Sequence, residues 1–291
     1  MALCEASPVF RSIMGTNNGI GGMGIVIDGT EAQKKKYLPR LATGEIIGSF
    51  ALTEPGSGSD AGALTTRAER QGGHYIVNGA KRYITNAPEA HIFTLMARTD
   101  PSCKDARGVS AFIVERDSPG LTVGKPDRKM GQRGSHTADV IFENVRVPVN
   151  HRLGDENKGF VQVMQGFDFS RALIGLQVFA VAKISLEETW EYVAQRQAFG
   201  KPLSAFQGVS HPLADFETQV EAARLLCLQT LWLKDRDLPH TSQAAMCKWW
   251  GPKLAYEVVH QCLLSFGHGG YDRGPLEQRL RDVLGLDRKS V

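Results

Sequence analysis

The feature that most constrains this chain is a change of period near residue 155. Before it lie short runs of β-branched and aromatic residues: "HYIVNG" (His74 to Gly79), "RYITN" (Arg82 to Asn86), "HIFTLMAR" (His91 to Arg98), "VSAFIVE" (Val109 to Glu115) and "ADVIFENVRV" (Ala138 to Val147). Turn signals separate them, among them Gly72-Gly73 and Asn78-Gly79, and such a series predicts an antiparallel barrel or sandwich. After it, no proline occurs from Lys158 to Gln197, which permits one long helix. A second helix is predicted from about 206 to 235, with Val220, Cys227 and Leu231 near one face. A third, from about 241 to 266, contains Gly251-Pro252. Proline inside a helix costs roughly 3 kcal/mol and usually kinks it, so a bend is expected there. The apolar character of "LLCLQTLWL" suits the core of a helical bundle.

The first 46 residues read as helix, a glycine-rich loop (Gly19 to Gly24) and a short helix that Thr30 can cap. The zones are therefore 1–46, 47–154 and 155–291, and the first is too small to be a domain alone. With 42% hydrophobic residues the chain can bury a large core. A net charge of +3 gives no case for nucleic-acid binding. The five cysteines are scattered and His/Cys clusters with ligand spacing are absent, so free thiols in a reducing, cytoplasmic setting are expected and a metal is not. The longest apolar run, Ala172 to Ala182, is too short to cross a bilayer.

"LTEPGSGSDAGAL", from Leu52 to Leu64, has the composition of a phosphate cradle. Gly56 and Gly58 fit the first two glycines of G-x-G-x-x-G, but the third falls on Ala61, and no Gly-Lys-Ser or Gly-Lys-Thr follows. A P-loop is excluded, and a surface turn stands equally open on composition alone.

The loop resembles the flavin-facing loop of acyl-CoA dehydrogenases. "QKKKYLPRLATGE" (Gln33 to Glu45), "NGAKRYITNA" (Asn78 to Ala87), "KMGQRGSHTADVIFENVRVP" (Lys129 to Pro148), "RQAFGKPLSAFQ" (Arg196 to Gln207) and "RLRDVLG" (Arg279 to Gly285) also resemble that family, in its order, over nearly the whole chain. Within the family, "HGGYDRGPLEQRLRDVLG" (His268 to Gly285) is most similar to the cyclohexane-carbonyl-CoA type. The resemblance implies an α+β fold: part of an N-terminal helical domain, a central antiparallel β-barrel domain and a C-terminal helical bundle. It implies FAD, an acyl-CoA thioester substrate, electron-transferring flavoprotein as acceptor, and a homo-oligomer, dimer or tetramer. A carboxylate takes the α-proton and a hydride leaves the β-carbon for the flavin, with the thioester carbonyl polarised by hydrogen bonds.

By the same resemblance, Phe50, Leu52, Thr53, Ser59, Tyr83, Ile84 and Thr85 contact FAD, Thr85 through a hydroxyl at the flavin N5. Ser59 also faces the thioester. Arg196, Phe199 and Gln207 reach the FAD of a neighbouring subunit, Arg196 at a phosphate, and Gly267 belongs to a loop that follows the family pattern only partly, with Leu264 where Gln is common. Asp168 and Arg171 match substrate-side positions and can pair at i, i+3. For each of these the alternative is structural: turn capping for Thr53 and Ser59, core packing for Tyr83, a solvated helix end for Arg196, an ion pair for Asp168. His136 reads as a loop residue, and Trp249-Trp250 as bundle packing or a subunit interface.

The ends depart from the family. The chain is expected to begin inside the N-terminal helical domain and to stop short at its other end. The family's catalytic carboxylate falls at Ser290, and Asp287 is a weak substitute. A truncated, impaired dehydrogenase is thus expected, against two rivals: a non-catalytic remnant that folds or associates without turnover, and a related flavoenzyme that uses oxygen.

Overall fold

The computed structural model describes residues 1–287. Helices α1 (Ala2–Ala6), α2 (Pro8–Met14), α3 (Met23–Asp28) and α4 (Glu31–Thr43) come first. Thr30 caps α4 as its sequence predicts: its hydroxyl accepts from Gln33 N while the Gln33 side chain accepts from Thr30 N, a reciprocal capping box. The glycine-rich stretch is not the open loop its composition suggests. A wide helical turn occupies Gly15–Ile20 and α3 starts at Met23. A Cβ on Gly21 would lie 2.7 Å from Thr16 O and 3.0 Å from the carbonyl carbon of Gly48, so that glycine lets two main chains pack directly.

The strands are β1 (Gly48–Ala51), β2 (Arg67–Gln71), β3 (His74–Thr85), β4 (Ile92–Arg98), β5 (Val109–Glu115), β6 (Leu121–Val123), β7 (Thr137–Pro148) and β8 (Arg152–Leu153). They form one sheet in the order β6-β7-β3-β2-β4-β5-β8, with β1 added on β4. Most pairs are antiparallel, but β1 and β2 both run parallel to β4, so the sheet is mixed where a purely antiparallel one was expected. Gly72-Gly73 is the predicted hairpin turn, between Gln71 and His74. Asn78-Gly79 is not a turn. His74 to Thr85 is one continuous strand whose register against β7 shifts between Val77 and Gly79. Gly79 sits there at φ 151, where a Cβ would lie 2.4 Å from Thr66 Oγ1; a bulge with this geometry selects glycine.

β4 and β5 are buried on both faces. Phe93, Leu95, Phe112 and Val114 join one core with Tyr75 and Val77, and Ile92, Met96, Ala111 and Ile113 join another with Ile25, Tyr37 and Leu41 from α3 and α4. The alternation is the period of two that the sequence shows. It also explains why residues after 11 fold with the sheet: the apolar faces of α3 and α4 have no other place to bury. The chain accordingly forms two compact units, one of residues 12–128 and 134–167, the other of 1–11, 129–133 and 168 onward.

The second unit is helical. α5 (Gly159–Gln195, 37 residues) runs into it. A small ribbon, β9 (Gln197–Ala198) and β10 (Lys201–Pro202), follows, then α6 (Gln207–Asp235), α7 (Thr241–Ser265), α8 (His268–Tyr271) and α9 (Pro275–Asp287). By length and composition α5 is long and apolar enough to cross a membrane, which the run from Ala172 to Ala182 alone did not suggest. Here Val178, Phe179, Val181, Leu186 and Val193 are instead buried in the bundle with Leu213, Cys227, Leu254 and Val283. The chain remains helical across Gly251-Pro252. The glycine has a packing reason: its Cβ would lie 3.1 Å from Gly175 Cα and 3.4 Å from Phe179 Cζ, so α5 and α7 touch main chain to main chain. Gly251→Leu should therefore overpack this crossing and cost about 1–3 kcal/mol, read as a lower urea midpoint with an unchanged slope.

Candidate functional site

In the β-rich unit, the loop from Leu52 to Thr66 is fastened by a buried ion pair. Glu54 Oε2 accepts from Thr65 N and Thr65 Oγ1, both at 2.7 Å; Oε1 accepts from Thr66 N at 2.9 Å and from Lys81 Nζ at 2.8 Å. Lys81 Nζ also donates to Leu52 O at 3.0 Å. The Lys81 and Glu54 side chains are 0% and 3% exposed. Further along, Arg98 donates to Leu64 O and Gly62 O, and Ser57 Oγ to Asp60 O. Gly56, Gly58 and Ser59 are left exposed at the loop's tip. Sequence reasoning missed Glu54 and Lys81. The period-two pattern held a signal: counting inward positions from Tyr75 and Val77 reaches 81, where a lysine breaks an apolar face.

Burial pushes the Glu54 carboxyl up, but the Lys81 charge and the hydrogen bonds from Lys81, Thr66 and Thr65 outweigh it and hold the group down to about 2. Burial pulls the Lys81 ammonium down to about 8 against the attraction of Glu54. A carboxyl that ionises more readily folded than unfolded binds fewer protons in the folded state. Its stabilisation is complete above its ordinary 4.5 and is lost as pH falls toward about 2. The urea midpoint should fall across that acid window, and the double variant Glu54→Gln/Lys81→Met should lose that part of the pH dependence.

The next residues of β3 carry the candidate flavin triplet. The register against β7 shifts again between Lys81 and Ile84. In that gap Tyr83 takes φ 58 and is 60% exposed, with the Arg82 guanidinium 5.0 Å from the ring centroid. A non-glycine residue in this region is strained, and here the strain turns an aromatic outward. Ile84 is buried in the core, so its side chain packs the sheet. Thr85 is half-buried and its carbonyl accepts from Ser49 Oγ at 2.6 Å. The loop runs beside this strand, because Arg82 N donates to Thr53 O at 2.8 Å. Thr53, Tyr83 and Thr85 are thus brought to one loop-and-strand edge. Among the described residues, neither the Thr53 nor the Thr85 hydroxyl has a hydrogen-bond partner, and nor does Thr53 N–H. Phe50 differs: its ring is buried at the edge of Phe167, centroids 5.6 Å apart, so it packs the core. His136, read as a loop residue, lies 2.5 Å through Nδ1 from Glu89 Oε1.

In the helical unit, Asp168 is buried and both its oxygens are taken, Oδ1 by Arg171 Nη1 at 2.6 Å and Oδ2 by Thr241 Oγ1 at 2.7 Å. The i, i+3 pair forms as predicted, and it also anchors the start of α7. Arg196 and Gln207 are exposed. Phe199 and Gly200 form the two-residue turn between β9 and β10, with φ 50 and φ 77, and Phe199 is 96% exposed. Gly267 is exposed at φ 60 before α8. Trp249 is 64% exposed, and Trp250 packs against the core. Two stretches noted for their motifs meet: Gln132 N donates to Asp282 Oδ1 at 2.5 Å and Arg281 Nη1 to Met130 O at 2.6 Å. Arg279 holds Glu188 with two hydrogen bonds, at 2.6 and 2.8 Å. Asp287 ends α9, and Ser290 lies outside the described residues.

The family descriptions "Acyl-CoA dehydrogenase, N-terminal domain", "middle domain" and "C-terminal domain" match residues 1–45, 49–145 and 157–287. An acyl-CoA dehydrogenase of Bacillus subtilis (strain 168) is 41% identical over 272 residues, spanning 93% of this chain and 72% of that protein. Butyryl-CoA dehydrogenase from Megasphaera elsdenii superposes with a TM-score of 0.92 at 36% identity, over 97% of this chain and 75% of that one. PigA, solved with FAD and proline, gives 0.95 at 27% identity, over 99% and 78%. The chain belongs to the acyl-CoA dehydrogenase family.

Proposed function

We propose that this protein binds FAD along the edge formed by Thr53, Tyr83 and Thr85 and oxidises the Cα–Cβ bond of an acyl-CoA thioester. The observation that carries this reading is the set of unpartnered donors at that edge, the Thr53 N–H and hydroxyl and the Thr85 hydroxyl, beside an aromatic ring held outward in a strained conformation. These groups fit the polar rim and flat face of a flavin ring, and nothing among the described residues satisfies them. When bound, FAD supplies the hydride acceptor. The chain's own part is to hold the ring: Leu52 and Thr53 on its polar edge, Thr85 at N5, Ser59 at a phosphate or the thioester. Arg196, Phe199 and Gln207 stand exposed and are assigned to the FAD of a second copy, which makes the working form a homo-oligomer; Gly267 is assigned to the cofactor as well. Arg171, held by Asp168, is assigned to the acyl-CoA side. Electron-transferring flavoprotein is the proposed acceptor. The substrate is a short or alicyclic acyl-CoA, the alicyclic choice resting on His268 to Gly285. Five free thiols suit a reducing cytoplasm.

The test is flavin binding followed by turnover. Purified protein incubated with FAD should acquire the visible flavin bands, and a colourless product defeats the reading. A ferricenium-coupled assay with butyryl-CoA and cyclohexane-carbonyl-CoA then ranks the substrates. Asp287→Asn, compared with the parent in the same assay, decides whether Asp287 supplies the base.

A further inference from the structure

We infer that Glu54 and Lys81 are positioning residues for the flavin: the pair aims the Thr53 main-chain N–H out of the protein and toward the cofactor. The inference rests on the FAD reading above and adds the device that orients its donor. The peptide between Leu52 and Thr53 is planar and trans, so its C=O and N–H point in opposite directions. Lys81 Nζ, fully buried, takes the Leu52 carbonyl at 3.0 Å. The Thr53 N–H must therefore face away from that buried ammonium, and no acceptor meets it among the described residues. The Thr53 carbonyl is fixed in turn by Arg82 N at 2.8 Å. One residue thus has its preceding carbonyl and its own carbonyl clamped, while its N–H and hydroxyl stay open.

Glu54 keeps Lys81 in place. A lysine alone in this apolar layer would lose its proton or seek water. The carboxylate supplies the opposite charge at 2.8 Å and spends its remaining acceptor sites on Thr65 N, Thr65 Oγ1 and Thr66 N. Those bonds fix the far end of the same loop where it enters β2. The ammonium is therefore held between both ends of the loop, whose tip is tied back to Glu54 by the paired Glu54 and Ser57 main chains. Two residues along β3 from Lys81 the chain makes the strained turn at Tyr83. The pair consequently sets the Thr53 donors and the aromatic ring relative to one another.

The experiment compares the parent with Glu54→Gln/Lys81→Met, which removes both charges and so leaves no unpaired ion buried. A control, Val114→Ala, weakens the core of the same unit without touching the loop. FAD affinity is read by quenching of flavin fluorescence on titration with apoprotein, at a temperature where all three are folded by circular dichroism. The double variant should bind FAD at least about tenfold more weakly, and the control should bind like the parent. Equal affinity of double variant and parent overturns the inference, as does an equal loss in the control, which would mark the effect as general softening. A parent that binds no FAD overturns the proposed function instead. The parent also gives an answer without any variant. In the apoprotein the Thr65 and Thr66 amides should be protected from hydrogen exchange while the Thr53 amide exchanges freely, and FAD should protect Thr53. A Thr53 amide already protected without FAD, or indifferent to it, overturns the inference.

Discussion

Lys81→Met alone should destabilise the protein by about 3–5 kcal/mol, the range for removing one partner of a buried ion pair. The deletion leaves Glu54, 3% exposed at its side chain, without its counter-charge. Three donors from Thr65 and Thr66 remain on it, so the carboxylate stays hydrogen-bonded but uncompensated. The Leu52 carbonyl also loses its partner. For scale, Arg224→Ala breaks the solvent-exposed pair with Glu221 and should cost under about 1 kcal/mol. Urea unfolding of the two variants side by side checks the contrast. A Lys81→Met midpoint within error of the Arg224→Ala midpoint would show that the buried pair contributes nothing.

Thr85→Ala should slow reduction of bound flavin by acyl-CoA about 10²-fold, the usual effect of losing one donor aimed at developing charge, while leaving the melting temperature near that of the parent. The asymmetry follows from what the residue does in the fold. Its carbonyl takes Ser49 Oγ at 2.6 Å and its main chain completes the pairing of β3 with β7 opposite Thr137; both survive the substitution. Only the hydroxyl is lost, and within the protein that hydroxyl bonds to nothing described. Thr85→Ser should restore most of the rate. Stopped-flow bleaching of the flavin measures it, and a Thr85→Ala rate equal to the parent's would remove this hydroxyl from the reacting edge.

The strands and helices were legible because each has its own period and its own punctuation. β4, β5 and β7 emerge where β-branched runs occur, and α5 to α7 where proline is absent or tolerated. The misreadings share a cause. Asn78-Gly79 is a turn signal locally, but it lies opposite Asn144, whose N–H donates to Asn78 Oδ1 at 2.9 Å, and this cross-strand pairing converts the dipeptide into a bulge. Gly19 to Gly24 looks like a loop because glycine favours one, yet Gly21 is small so that β1 can come close. At the candidate site, only the family's motifs single out Thr53, Tyr83 and Thr85. Nothing in their local sequence distinguishes a flavin contact from a capped turn.

By itself, then, the sequence determined the longer strands β3, β4, β5 and β7 and the three long helices α5, α6 and α7, and which family's motifs the chain carries in order. Local chemistry suffices for these, since period, capping and turn propensity act over a few residues. Tertiary structure decided that β1 and β2 run parallel to β4, that Asp282 receives the amide of Gln132, and that the lysine in an apolar strand face meets the glutamate beside the glycine loop. Each joins groups far apart along the chain. A buried charge or donor is costly until it is paired, and which partner reaches it depends on sheet order and packing, not on the residues next to it.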